Sequence, residues 1–300
     1  MITTVGEREW APGFPLDVYG TLAVHRRGRG DPAYQVTRDG AVWRTSYTPD
    51  GPGTLRVVPA GAVVRAAAWG PGAGWLLEQV PAMLGGFDDP SALRPMHEAV
   101  RVAVAARPGV RLGRAGRVFE ALVPAVLEQK VVGQEAFRAW RYLLRKYGEP
   151  APGGARVPEG MRVPPPPAVW IRIPSWEWHR SGAEAVRART IMNAARVAAR
   201  LEEDPAEERL RSLPGIGIWT AAEIRQRAVG DPDAISVGDY HLSGQVGWAL
   251  EGRKVDDARM LELLAPYEGQ RHRVSMLLAT SGGGPPRRGP RMSVRDYRHF

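Results

Sequence analysis

A single change of hydrophobic period divides the chain and restricts its fold more than any other feature. Up to about residue 68, apolar positions recur every two residues. Leu16, Val18, Gly20, Leu22 and Val24 fall on one side of such an alternation, and Val36, Val42, Trp43 and Tyr47 flank a turn at Asp39-Gly40. Leu55–Val58 and Ala62–Ala68 read as two more strands, separated by Pro59-Ala60-Gly61. Strands in sequence with short connections predict an antiparallel sheet. A short helix over Trp75–Leu84 is expected to pack on it through Trp75, Leu76, Val80 and Leu84.

From about Asp88 the spacing becomes helical. Ser91–Ala106 carries Leu93, Met96, Val100 and Val104 at helical positions despite Pro95, and Val118–Val132 carries Val118, Phe119, Leu122, Val123, Val126 and Leu127. Between them, Arg107, Arg111, Arg114 and Arg117 form either a phosphate-facing loop or a solvated connector, the second being favoured. A further helix runs through Phe137, Trp140, Leu144 and Tyr147 to Gly148. Glu149–Pro167, with Gly153-Gly154 and four consecutive prolines, cannot hold a helix. Trp176, Trp178 and His179 are placed in the loop that follows, to close over a substrate or to stabilise an irregular connector. Helices are then expected at Glu184–Leu201, Pro205–Ser212, Ile218–Val229, Tyr240–Leu250, Asp257–Leu264 and around Val274–Ala279, with Ser281–Arg298 a loose tail. The class is α+β: an N-terminal antiparallel sheet with a helix, then two mainly helical lobes.

Composition narrows the chemistry. The 300 residues contain no cysteine, which removes disulfides, thiolate nucleophiles and cysteine-held metal centres. Six histidines leave little material for a metal site, and no H-E-x-x-H or calcium-loop spacing occurs. No catalytic metal and no required cofactor are expected, and the glycine turns do not match a nucleotide-phosphate loop. The formal charge is +9, and all but three of the 41 basic residues are arginine, the lysines being Lys130, Lys146 and Lys254. Arginine's planar fork suits phosphate, although a GC-rich genome would favour arginine as well. No apolar run reaches bilayer length, and Met1–Trp10 lacks the apolar core of a secretion signal. A cytoplasmic or nucleoid-associated monomer is the expectation.

The most informative segment is Leu213-Pro-Gly-Ile-Gly-Ile-Trp-Thr-Ala221, with a helix on either side. Gly215 and Gly217 permit a tight turn with outward amides, and the leaving helix adds unpaired amides of its own. Such a turn can hold a nucleic-acid phosphate without reading sequence. Ile216 would pin the two helices together. By itself a G-x-G turn is an ordinary helix–helix connection. The following aromatic, the Thr220-Ala221-Ala222 run and the downstream Asp239-Tyr240-His241-Leu242 make the pattern far more restrictive.

This combination resembles the helix-hairpin-helix base-excision DNA glycosylases, with the greatest likeness to the branch called 3-methyladenine DNA glycosylase II. Phe87-Asp88-Asp89-Pro90 looks like that branch's acidic junction, and Val110–Gly113, Phe119-Glu120 and Leu127-Glu-Gln-Lys130 resemble the approach to its wedge loop. The likeness spans roughly residues 70 to 280. It implies an N-terminal domain over 1–86, one helical lobe from 87–117 with 236–300, and a second over 118–235 containing the hairpin.

By this resemblance Asp239 is the catalytic carboxylate, although an aspartate at a helix start is commonly only a cap. A monofunctional enzyme acting with water on damaged, alkylated purines in duplex DNA is implied. Strand-cutting relatives use a lysine where this chain has Trp219, and an imine needs a primary amine. Trp219 either walls the base pocket or packs between helices. Glu223, where the branch has an aromatic residue, either meets the base or pairs with Arg227. Tyr267 retains an aromatic in the closing segment, whereas Gln270 takes a tryptophan position. Tyr240 is a pocket candidate, and His241 anchors the helix or reaches phosphate. Gln129 and Lys130 are expected at the DNA face with Leu213, Gly215 and Gly217. Lys130 replaces an apolar wedge, leaving Val131 or another loop to supply one. A structural monovalent cation at Leu213–Gly217 is implied too. The alternative of another class is a damaged-DNA-binding protein with little or no catalysis.

Overall fold

The computed structural model describes residues 5–281 and 284–286. The N-terminal part runs β1 (Val5–Trp10), α1 (Val18–Leu22), β2 (Tyr34–Val36), β3 (Val42–Thr48), β4 (Gly51–Ala60), β5 (Val63–Trp69) and α2 (Ala73–Met83). The helical part continues with α3 (Glu98–Ala106), α4 (Val118–Leu127) and α5 (Gly133–Tyr147). A small ribbon of β6 (Glu149–Pro150) and β7 (Arg162–Val163) follows, then α6 (Pro167–Arg172) and α7 (Ser175–Ser181). The remaining helices are α8 (Ala185–Arg196), α9 (Ala198–Glu203), α10 (Glu207–Arg211), α11 (Ile218–Ala228), α12 (Leu242–Glu251), α13 (Asp257–Leu264) and α14 (Arg271–Thr280).

The five-stranded sheet has the order β1-β5-β4-β3-β2, and all its pairs are antiparallel. The hairpin about Asp39-Gly40 pairs Val36 with Val42, and the Pro59–Gly61 region returns β4 onto β5 with Ala60 opposite Val63. Leu55, Val57, Val64 and Ala66 bury one face against Leu76, Val80 and Leu84 of the α2 region, while Trp75 is only partly buried. This is the α+β arrangement expected from the change of period.

Several local expectations give way. Leu16–Val24 is not a strand: Asp17 accepts the Gly20 amide at 2.8 Å and starts α1, so Val18 and Leu22 meet the core one helical turn apart. The outer strand is instead β1, on which the alternation reading had placed nothing. Ser91–Ala106 is a 3₁₀ turn at Pro90–Ala92 followed by α3, and Met96 is 63% exposed. Helix α4 stops at Leu127, and Val197 breaks the alanine-rich helix into α8 and α9. Trp176, Trp178 and His179 lie on α7, not in a loop; Trp178 is buried beside Trp170, while Trp176 is exposed. The tail expected over Ser281–Arg298 lies largely outside the described residues.

Apolar burial supplies the main cohesion, and it gathers in distinct places. One core collects Val18 through Leu84. A second collects α4, α5, α6 to α8 and the α10–α11 pair. A third joins Leu93, Val100 and Ala103 to Ile235, Val246, Met260, Val274 and Leu278. The Arg107–Arg117 segment behaves as a connector whose arginines are engaged within the protein. Arg107 donates to the Thr280 carbonyl, Arg111 lies 4.3 Å over the Phe14 ring, and Arg117 faces Glu202 at 3.5 Å. Asp88 fastens the same junction, because a buried ion pair links it to Arg273 of α14 and it also accepts the Leu112 amide.

Candidate nucleic-acid interface and active site

Helix α10, the turn Ser212–Gly217 and α11 form the hairpin. Ile216 is 4% exposed and belongs to the core under α4, with Leu213 packed on the same core. Gly215 has φ +90°, and a Cβ there would stand 2.1 Å from Thr190 Oγ1, so glycine is required for both conformation and clearance. At Gly217 a Cβ would meet open space. The Gly215 and Gly217 amides are exposed and donate to no acceptor among the described residues. The turn therefore presents free N–H groups at a helix start, the arrangement that receives an anion.

A second loop, Glu128–Val132 between α4 and α5, is bonded to the first. Gln129 Nε2 donates to the Gly215 carbonyl at 2.9 Å and to Thr220 Oγ1 at 2.8 Å, while Arg187 Nη1 donates to the Gln129 carbonyl at 2.8 Å. Both amide hydrogens of Gln129 are thus used in bracing the hairpin. Lys130 follows at φ +53°, the one non-glycine residue with positive φ among the described residues, and it is exposed. Nothing local favours this conformation for lysine. The bonds to Gln129 hold the chain there. Val131 is half-buried against the core of α4.

The carboxylate of Asp239 sits at the start of α12 and faces the first turn of α11. Its Oδ1 accepts the His241 and Leu242 amides at 2.8 and 3.0 Å, and its Oδ2 accepts the Trp219 indole N–H at 3.2 Å. It is therefore a helix cap and a neighbour of Trp219 at once. Trp219 and Asp239 are both half-buried. Tyr240 is 83% exposed, with its ring edge-on to His241 at 4.8 Å, and His241 is also exposed.

The remaining pocket candidates lie in a polar network behind this site. Glu223 pairs with Arg227 at 2.7 Å, the i,i+4 alternative, and accepts the Ser236 hydroxyl at 2.6 Å. Burial pushes its pKa up, but the Arg227 guanidinium and the Ser236 hydroxyl outweigh this and hold it below the usual range. Ser236 in turn accepts Gln226 Nε2 at 2.9 Å, and its carbonyl accepts the Asp239 amide at 3.1 Å. Glu223 thus supports the segment that carries Asp239. Gln270 accepts Arg273 Nε at 2.6 Å, and Tyr267 is buried in the third core, bonded to the His97 amide.

Sequence reasoning missed Thr220, Arg187, Ser236 and His272. Only Thr220 had a nearby signal, the small-residue run after Trp219. Burial and the Arg227 charge hold the His272 ring down to about pKa 4, against the opposing pull of Glu223. Among the described residues no group of three or more His, Asp or Glu could hold a metal ion, and no helix is long and apolar enough to cross a membrane.

No protein-family model matches the sequence, and no curated protein matches it significantly. Solved structures do resemble it. One is the 3-methyladenine DNA glycosylase from Archaeoglobus fulgidus, with TM-score 0.74 and 16% identity over 90% of this chain and 97% of that one. Another is the apo-form of the Clostridium acetobutylicum 8-oxoguanine glycosylase/lyase, with TM-score 0.70 and 10% identity over 93% and 98% of the two chains. The same enzyme with double-stranded DNA containing cytosine opposite 8-oxoG gives TM-score 0.69 and 11% identity over 92% and 96%. Across nine-tenths of its length, this chain has the fold of base-excision DNA glycosylases.

Proposed function

We propose that the protein is a monofunctional DNA glycosylase that hydrolyses the N-glycosidic bond of damaged purines in duplex DNA, alkylated purines first among them. The observation that carries this reading is the 3.2 Å contact between Trp219 Nε1 and Asp239 Oδ2, one turn from the exposed Gly215 and Gly217 amides. A phosphate on those amides would fix the strand beside the carboxylate. The target nucleotide must leave the stack to reach it.

In the reaction the C1′–N bond breaks and its electron pair leaves with the base. Positive charge develops on the sugar, where the carboxylate stabilises it. Water then adds to C1′ and yields its proton to Asp239. The indole of Trp219 orients Asp239 and offers an electron-rich face to a cationic base. Neither Glu223 nor Gln270 adds an aromatic wall, so the reading extends to damaged purines beyond methylated ones. A monovalent cation shared by phosphate and the Leu213–Gly217 carbonyls belongs to this reading as a structural element. The Leu213 and Gly215 carbonyls already accept the Ile216 amide and Gln129 Nε2, each keeping a second lone pair for such an ion.

A panel of duplexes, each with one damaged base, tests the function. Release of free base with an alkali-labile site is expected for at least one lesion. Tight binding to damaged duplexes without excision of any would favour the binding-protein alternative. Borohydride added during excision should trap no protein–DNA crosslink, since Trp219 has no amine. An efficient crosslink would overturn the monofunctional assignment.

A further inference from the structure

A basic strip lies along the second half of α5, the helix that follows the Lys130 loop, and it is assembled from segments more than a hundred residues apart. The segment Arg26–Asp31 lies against this helix through three contacts. Gly28 adopts φ +74°, and a Cβ there would come within 2.5 Å of the Phe137 ring. Arg141 Nη1 donates to the Arg29 carbonyl at 3.3 Å. Trp140 Nε1 donates at 2.8 Å to Asp31, whose carboxylate also accepts the Arg27 and Ala33 amides. Arg27 turns inward and is 7% exposed, whereas Arg26 and Arg29 on either side of Gly28 are exposed.

On α5, Arg141 and Arg145 lie four residues apart and share a face. Among the described residues, Arg26, Arg29, Arg141 and Arg145 pair with no carboxylate, although the adjacent Lys146 pairs with Glu177 at 2.7 Å. Four guanidinium groups are thus gathered on a locked loop and a helix without neutralisation.

We propose that this strip is a second track for the phosphate backbone of duplex DNA, lying beyond the hairpin contact. The inference rests on the duplex-binding half of the reading above and not on its chemistry. Charge and continuity both point to DNA. The helix that carries Arg141 and Arg145 starts three residues after Lys130, and the neighbouring Gln129 is bonded to the hairpin. From Arg141 to Arg145 the helix advances about 6 Å at ~1.5 Å per residue. That is about two phosphate steps at the ~3.4 Å axial rise of one strand, and Arg26 and Arg29 add further contacts beside them. Arginine forks grip phosphate oxygens without reading bases, so the track would hold flanking duplex of any sequence. The N-terminal domain thereby becomes part of the DNA-binding surface.

The test is the salt dependence of affinity for an undamaged 24-base-pair duplex, measured with the full chain and the variant R26Q/R29Q/R141Q/R145Q. Each lost phosphate contact should flatten the plot of log affinity against log salt by about 0.9. A slope shallower by roughly two to four units is therefore expected. R145Q alone, at an exposed position whose side chain makes no bond among the described residues, should flatten it by about 0.9 if the quadruple variant fails to fold. Unchanged slopes in folded variants would overturn the proposal. So would poly-glutamate binding to the wild type as tightly as the duplex and losing that affinity in the variant, because the strip would then serve an acidic protein. Failure of the function reading looks different: Gly217→Ala would leave duplex affinity intact and no lesion would be excised.

Discussion

Two carboxylates meet at α11, Glu223 on the helix and Asp239 against its first turn, and they live in opposite circumstances. Asp239 meets the first turn through one hydrogen bond from Trp219 and stays half-buried beside exposed amides. Glu223, one turn further along, is enclosed by Arg227 and Ser236, with its side chain 13% exposed. Both are candidates for the site from the sequence, Asp239 as the catalytic carboxylate and Glu223 as a contact to the base or a partner of Arg227. The difference teaches that a carboxylate matched by a cation and a hydroxyl is committed to structure, whereas Asp239 caps a helix with one oxygen and accepts only an indole N–H with the other, the oxygen that the proposed function uses.

The contrast can be broken most sharply at Asp239. Asp239→Asn should lower the excision rate by about 10²–10⁴-fold while damaged-duplex affinity stays within a few fold. Equal single-turnover rates in the two proteins would remove Asp239 from the reaction.

Glu223→Gln should act through stability instead. Removing one partner of an enclosed ion pair costs about 3 kcal/mol, because Arg227 stays behind uncompensated. Chemical denaturation measures this. The folded pKa of Glu223 lies below its ordinary value, so its contribution is full near neutrality and fades as pH falls below about 4.5. Wild type and variant should converge in stability in acid. A variant as stable as wild type but inactive would make Glu223 a partner in the chemistry.

A smaller effect is expected at the hairpin. Gly217→Ala adds a methyl group into open space and should leave the melting temperature unchanged. It should weaken duplex binding about tenfold, near the worth of one hydrogen bond to a charged group. Gly215→Ala is a poorer probe, since its methyl group meets Thr190.

A pH-dependent effect concerns His272, whose ring feels the charges of Glu223 and Arg227. It stays neutral in the fold down to about pH 4, whereas the unfolded chain protonates it near 6.5. Stability should fall as pH drops from 6.5 towards 4, and His272→Gln should lessen that slope in calorimetric scans.

What the sequence revealed follows the reach of its signals. The β3–β5 strands and most helices were legible because their alternation or spacing is long. Helix α1 was not, because Val18 and Leu22 satisfy both periods over so short a stretch; only Asp17 as a cap distinguished them. Helices α6 and α7 hid behind Pro167 and Pro174, which stand at helix starts, where proline is tolerated. The hairpin was legible through a compact motif, which also singles out Asp239 as a candidate. The bracing of Gly215 by Gln129, and the tie from Glu223 through Ser236 to Asp239, join residues distant in sequence, and no local pattern announces them.

The third core has a consequence for synthesis. Leu93, Val100 and Ala103 are made early, but their packing partners extend to Leu278. A chain emerging from the ribosome can complete the sheet and the α4–α11 layer while these residues still lack cover. The lobe that carries Asp239 closes only once α14 arrives. Nascent chains truncated before Arg271 should therefore expose that apolar surface to chaperones.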